Sequence, residues 1–218
     1  TFNSEEKIKD NILKIFIIYS LLSIIILSLL TISGIRLFNS LNLSMTLVSA
    51  GGFLPTDNIG KIVSSNLQKL ILIFSLFISM LNFYFIFNIF NKKILIKEHK
   101  EDLYLILLTI IFFSLIYFND YDRLDLIISI TSSLANSGLT MIKSDNNLSL
   151  YFLLITMVGG SLISNSSGIK FTRFYILLKI TSSEIIKLVS PNSIINKTIF
   201  NSDKKIYDDN VKISFLIF

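Results

Sequence analysis

Cysteine is absent from this sequence, and histidine occurs once. The first absence excludes disulfides and thiolate metal sites. The second excludes a Ser-His-Asp relay or a multi-histidine metal centre, because one imidazole cannot supply either. That residue, His99, lies in the charged stretch 92–103, where the expected role is a solvated side chain. Charge is missing from five long intervals: Ile15 to Ile35, Leu37 to Thr56, Leu70 to Asn91, Leu103 to Asn119 and Asn146 to Ile169. No paired carboxylates, histidine cluster or phosphate-binding glycine loop is placed to do covalent chemistry in them, so no enzymatic activity and no covalent cofactor are expected.

What is present is apolar bulk, 52% of the chain. A helix needs about 20 apolar residues to cross a bilayer, and fewer when flanking side chains snorkel. Four of the five intervals read as such spans. The exception is Leu37 to Thr56, where Ser, Asn, Thr, the pair Gly51-Gly52 and Pro55 interrupt the pattern. It reads as a short helix over about Asn39 to Val48 followed by an extended glycine turn, the composition of a re-entrant loop. The first span is not a signal peptide, since its apolar region is too long and no small-x-small site follows it. The last apolar run is broken midway by Gly159-Gly160 and by Ser164-Asn165-Ser166-Ser167-Gly168, then closed by Lys170 and Arg173. Lipid cannot satisfy the N–H and C=O groups of backbone that leaves a helix at membrane depth, so such a break must be buried in protein or line a wet cavity. It points to a pathway through the membrane.

The unit recurs. Residues 122–142 repeat the polar start, the short amphipathic run and a small-residue turn, Asn136-Ser137-Gly138-Leu139, with Gly138 lying 86 residues after Gly52. Internal repeats of this kind place a functional site on a pseudo-symmetry axis. The expected division is a first unit over 1–97, a second with a broken final span over 98–190, and a cytoplasmic connector leading to a further span over 191–218. With no initial Met and an apolar closing run, Ile213 to Phe218, the chain is expected to be part of something longer. If the two re-entrant turns share one side, Arg36, Lys61, Lys69, Arg123 and Lys143 fall there and the other basic residues fall opposite. The positive-inside rule then puts the turns outside. The basic balance is thus a topology signal, and no nucleic-acid partner is expected.

These residues resemble the Trk/Ktr/HKT superfamily of potassium transporters, specifically the TrkH-like membrane subunit. Val48-Ser49-Ala50-Gly51-Gly52-Phe53 is similar to that family's Val-Ser-Thr-Gly-Gly-Phe filter loop. Leu81-Asn82-Phe83 is similar to its Ile-Asn-Phe, and Gly159-Gly160 with Ser166-Ser167-Gly168-Ile169-Lys170 to its broken span. The resemblance implies an all-α polytopic protein in which four span, pore-helix, span repeats surround one pore, this chain carrying the second and third. It implies potassium uptake across the bacterial inner membrane as a multi-pass subunit, membrane lipid around it, and the missing repeats of the same protein as neighbours. It further implies a homodimer and a cytosolic nucleotide-binding regulatory partner.

By the same resemblance Gly52 and Gly138 are filter glycines, with Ser49, Ala50, Gly51, Asn136 and Ser137 donating neighbouring carbonyls to potassium. A ring of backbone carbonyls replaces the ion's water, glycine permits the backbone that aims them, and pore helices turn negative dipole ends toward the ion. The gating loop would comprise Gly159, Gly160, Ser164, Asn165, Ser166, Ser167, Gly168 and Lys170. Departures are visible: Ala50 stands where Thr is usual, Asn136 and Ser137 replace a Thr pair, Leu139 replaces Phe, and Ser166-Ser167 replaces glycines. A sodium-permeable relative and a non-conducting scaffold or sensor built on a decayed pore therefore stay open. Lys170 reads either as a membrane-edge anchor or as a gate residue. Asp57, Asp120, Asp122, Asp125 and Asp145 read either as cation-attracting carboxylates at the outer mouth or as ordinary surface charges, and Asn82 and Asn88 as interhelical hydrogen-bond formers.

Overall fold

A computed structural model of the chain describes residues 2–90, 100–116, 121–142, 146–190 and 198–200. Eight α-helices run through them: α1 Phe2–Ile32, α2 Leu37–Ser49, α3 Asn66–Met80, α4 Phe83–Phe90, α5 Lys100–Ile116, α6 Arg123–Ala135, α7 Asn146–Val158 and α8 Phe171–Val189. The packing repeats with the sequence. The short helix α2 packs on α1 and α3, and α6 packs in the same way on α5 and α7, while α1 meets α4 as α5 meets α8. The seam between the two units is the contact of α3 with α6.

Both short helices are built to be surrounded by protein. On α2, Leu43, Leu47 and Val48 join the main apolar cluster, and on α6 so do Leu126, Ile128, Ile130 and Leu134. Between them lie buried hydroxyls, Ser40 and Ser44 on α2 and Ser129, Thr131 and Ser133 on α6. Each donates to a carbonyl of its own helix or of the turn just before it, which satisfies a polar group that would otherwise be costly to bury. Helix α3 starts on a capping box. The Ser65 hydroxyl accepts from the Gln68 N–H at 3.3 Å while Gln68 Oε1 accepts from the Ser65 N–H, and Gln68 Nε2 reaches the carbonyl of Ser33 at the end of α1.

The expected span from Leu70 to Asn91 is not straight: it bends midway. α3 stops at Met80, Leu81 adopts an extended backbone, and α4 leaves at 111° to α3. Asn82 stands at the turn. Its side chain, expected to bond across helices, instead accepts the N–H of Tyr84 at 2.9 Å, capping α4 locally. Among the described residues, Ile12–Ile32 is the one helix long and apolar enough to cross a membrane by itself, and α3 with the start of α4 makes a second only as a bent pair. The run from Asn146 breaks after Val158, where the glycines lie. Of the expected connector 191–218, the described residues are 198–200: Phe200 returns to stack on Tyr175 at 4.5 Å between ring centroids, beside Phe171 and Tyr104. Asp120, Lys143 and Asp145, expected at the outer mouth, and the loop residue His99 lie outside the described residues.

Candidate ion pathway

Helix α2 ends when Ala50 enters the left-handed region, φ 53 and ψ 37, and α6 ends in the same way at Asn136, φ 55 and ψ 33. Two residues further on, Gly52 has φ +72 and Gly138 φ +69. The same conformation is therefore written twice, 86 residues apart. The hydrogen bonds repeat too: the N–H groups of Gly51 and Ser137 donate to the carbonyls of Thr46 and Ser132, each at 3.0 Å. Thr46 and Ser132 also steady the turns through their hydroxyls, Thr46 Oγ1 donating to the Phe53 carbonyl at 2.5 Å and Ser132 Oγ pairing with Ser137 Oγ at 2.9 Å.

The two turns meet. A Cβ on Gly52 would lie 2.7 Å from the carbonyl oxygen of Ser137. Gly52 and Gly138 together line an open recess of about 630 Å³, with Phe53, Asp57 and Thr140 among its walls. Each turn follows the carbonyl end of its short helix, where the helix dipole is negative. Ser49, Ala50, Gly51, Gly52, Asn136, Ser137 and Gly138 are thus brought into two adjoining turns beneath one recess.

The broken span folds into a closed loop on the same two helices. Its neck is tied by the Ile169 N–H to the Met157 carbonyl at 3.1 Å and by the Phe171 N–H to the Gly160 carbonyl at 2.9 Å. Inside it the Gly160 N–H donates to Ser166 Oγ, and Ser164 and Ser166 share a hydroxyl bond of 2.7 Å. Lys170 turns back over this loop: Nζ donates to the carbonyls of Ser164 and Ser166. The ammonium thus closes the loop it follows. Glycines are demanded where strands of the loop cross. Gly159 has φ +71 with the Ser167 carbonyl against it, and Gly168 has φ +87 with Asn136 Nδ2 3.0 Å from where its Cβ would stand.

From this loop Asn165 Nδ2 donates to the carbonyl of Val48 at 2.6 Å, near the end of α2. Gly168 reaches Asn136 at the end of α6, and Asn136 in turn donates to Thr156 at 3.1 Å. The loop therefore reaches the last turn of α2 and the turn that ends α6. Nothing in the spacing of the sequence announced the bond from Asn165 to Val48, and a polar Asn at the tip of a serine-rich break was the available signal.

At the α3–α6 seam one carboxylate departs from expectation. Asp125 is paired with Lys69 at 2.6 Å across the α3–α6 seam, with 19% and 13% of the two side chains exposed. It is a structural partner and not an open charge at a mouth. Asp57 does lie open beside the recess, 3.9 Å from exposed Lys61.

With that geometry in hand, comparison with solved structures is decisive for the fold. The chain aligns with the potassium transporter TrkH from Vibrio parahaemolyticus at a TM-score of 0.84 and 20% identity, covering 97% of this chain and 48% of that one. The chain has the TrkH fold. An uncharacterized cation transporter of Methanocaldococcus jannaschii is 26% identical over 197 residues, covering 84% of this chain and 38% of that protein. No family model matches the chain. The chain thus spans less than half the length of these two TrkH-like or cation-transporter proteins, both of them described as transporters.

Proposed function

We propose that the chain forms two of four pore repeats in the membrane subunit of a cation transporter, and that the cation is potassium. Transport of this kind requires no covalent chemistry: the protein supplies oxygens in place of water and a barrier that moves. The observation that carries the proposal is the pair of left-handed turns at Ala50 and Asn136, each followed by a positive-φ glycine, adjoining under one recess. Two such turns give half of a ring of carbonyls, and the missing repeats would complete it. The loop from Gly159 to Lys170, bonded to the end of α2 and resting against the end of α6, would act as the barrier on the inner side of the turns. The setting is the bacterial inner membrane, the assembly a homodimer, and the inward face a docking surface for a nucleotide-binding regulatory subunit.

The test is rubidium or potassium uptake by the full-length protein in a bacterium deficient in potassium transport, with sodium as competitor. Growth and uptake at low potassium, unaffected by excess sodium, are expected. Uptake that follows sodium instead would replace potassium as the cation, and absence of any cation flux from correctly inserted protein would overturn the proposal.

A further inference from the structure

Two adjacent carboxylates at the start of α5 belong to neither turn nor loop, yet they hold both broken spans. Glu101 Oε1 accepts the N–H of Leu162, inside the break between α7 and α8, at 2.8 Å. Asp102, 1% exposed, accepts the N–H of Asn82 at 2.9 Å, in the break between α3 and α4. The two breaks are moreover joined directly, by the Ser161 N–H to the Met80 carbonyl at 2.9 Å and by the Phe83 N–H to the Ile163 carbonyl at 3.0 Å.

An interrupted helix leaves N–H groups without partners, and at membrane depth each must find an acceptor in the protein. Here one acceptor for each interruption sits on consecutive residues of one helix. Helix α5 cannot shift along its axis without disturbing both.

We propose that Glu101 and Asp102 are positioning residues of the ion pathway: together they clamp the two broken spans to α5 and so set where the loop carrying Asn165 rests beneath the turns. The clamp rests on the proposed ion-conducting function for its consequence, but not for its geometry. A backbone N–H held by a carboxylate is a charge-assisted bond, among the stronger ones available. Loss of the carboxylate frees the loop, whereas an amide of the same shape keeps a carbonyl oxygen for the same N–H.

The experiment uses the full-length protein in a cysteine-free background, with Leu162→Cys as reporter and Phe53→Cys, on the opposite side of the turns, as control. Leu162 contributes its backbone to the clamp, so its side chain can be replaced. Labelling by an impermeant thiol reagent is followed from the inner side for position 162 and from the outer side for position 53. Glu101→Ala is expected to speed labelling at 162 by roughly tenfold, the change that losing a hydrogen bond to a charged group allows. Asp102→Ala should do so in the same direction, because the breaks share bonds. Glu101→Gln should stay within about twofold of the parent, as its oxygen still accepts the Leu162 N–H. Position 53 should be unaffected throughout. Unchanged labelling at 162 in Glu101→Ala, equal acceleration in Glu101→Gln, or equal acceleration at 53 would each overturn the clamp. Rubidium flux measured on the same unsubstituted protein tests the transport function separately: its absence would remove the function while leaving the labelling result to decide the clamp.

Discussion

The carbonyl oxygen of Ser137 occupies the space beside the Cα of Gly52, 2.7 Å from the place a Cβ would take, whereas Gly138 has no atom beyond its own chain neighbours within 4 Å of its Cβ position. Two glycines with matching φ thus differ in what a side chain would cost. At both positions a residue with a Cβ meets the left-handed penalty of roughly 1 kcal/mol. At Gly52 it also strikes a backbone atom that cannot swing away.

Gly52→Ala is therefore expected to be the more damaging of the two, by about 1–3 kcal/mol of overpacking beyond the shared strain. Thermal denaturation of the two variants of the full-length protein in detergent checks the order, and rubidium flux should fall further in Gly52→Ala. Equal melting temperatures would mean that the turns do not adjoin as described.

Asn165→Ala removes the bond to the Val48 carbonyl. A neutral hydrogen bond contributes about 1 kcal/mol net, enough to change the balance between two loop positions about fivefold. If the loop obstructs the pathway, flux should rise by a similar factor while potassium stays preferred over sodium, because the turns themselves are untouched. Flux measured in liposomes decides it, and unchanged flux in normally inserted protein counts against an obstructing loop.

Across the α3–α6 seam, Asp125→Ala should destabilise more than Asp125→Leu combined with Lys69→Met. The single change strands a mostly buried ammonium, which costs about 3 kcal/mol when burial is complete and less here, where the pair is partly wet. The double change replaces the pair with apolar contact. Melting temperatures of the parent and the two variants give the order, and a double variant as unstable as the single one would show that the pair is not what joins the seam.

Asp57 and Lys187 should face opposite sides of the membrane, with Asp57 outside. Single cysteines at the two positions, labelled in intact cells with an impermeant reagent, report this directly. Labelling at 187 without labelling at 57 would invert the topology drawn from the charge distribution.

The short helices and their turns were legible in the sequence because local chemistry dictates them: small residues end each helix, and Gly52 and Gly138 follow at the same offset. The break in the last span was legible for the same reason, since Gly159-Gly160 and the serine-rich segment cannot continue a helix in lipid. The turn at Leu81 and Asn82 was not. One Asn in an apolar run fits a cap and an interhelical bond equally well, and only the direction of the chain after it decides. The pairing of Asp125 with Lys69, like the grip of Glu101 and Asp102 on the two breaks, depends on which helices become neighbours. Composition carries no record of that.

The bond from Asn165 to Val48 joins residues 117 apart in the chain. During synthesis the first turn is finished long before the residue that braces it exists. At about 5–20 residues per second, the ribosome needs roughly 6 to 23 seconds to supply it. Through that interval the carbonyl end of α2 must be served by something else, water in the insertion machinery or another polar group. A mutation that slows the second repeat would therefore be felt first in the repeat already made.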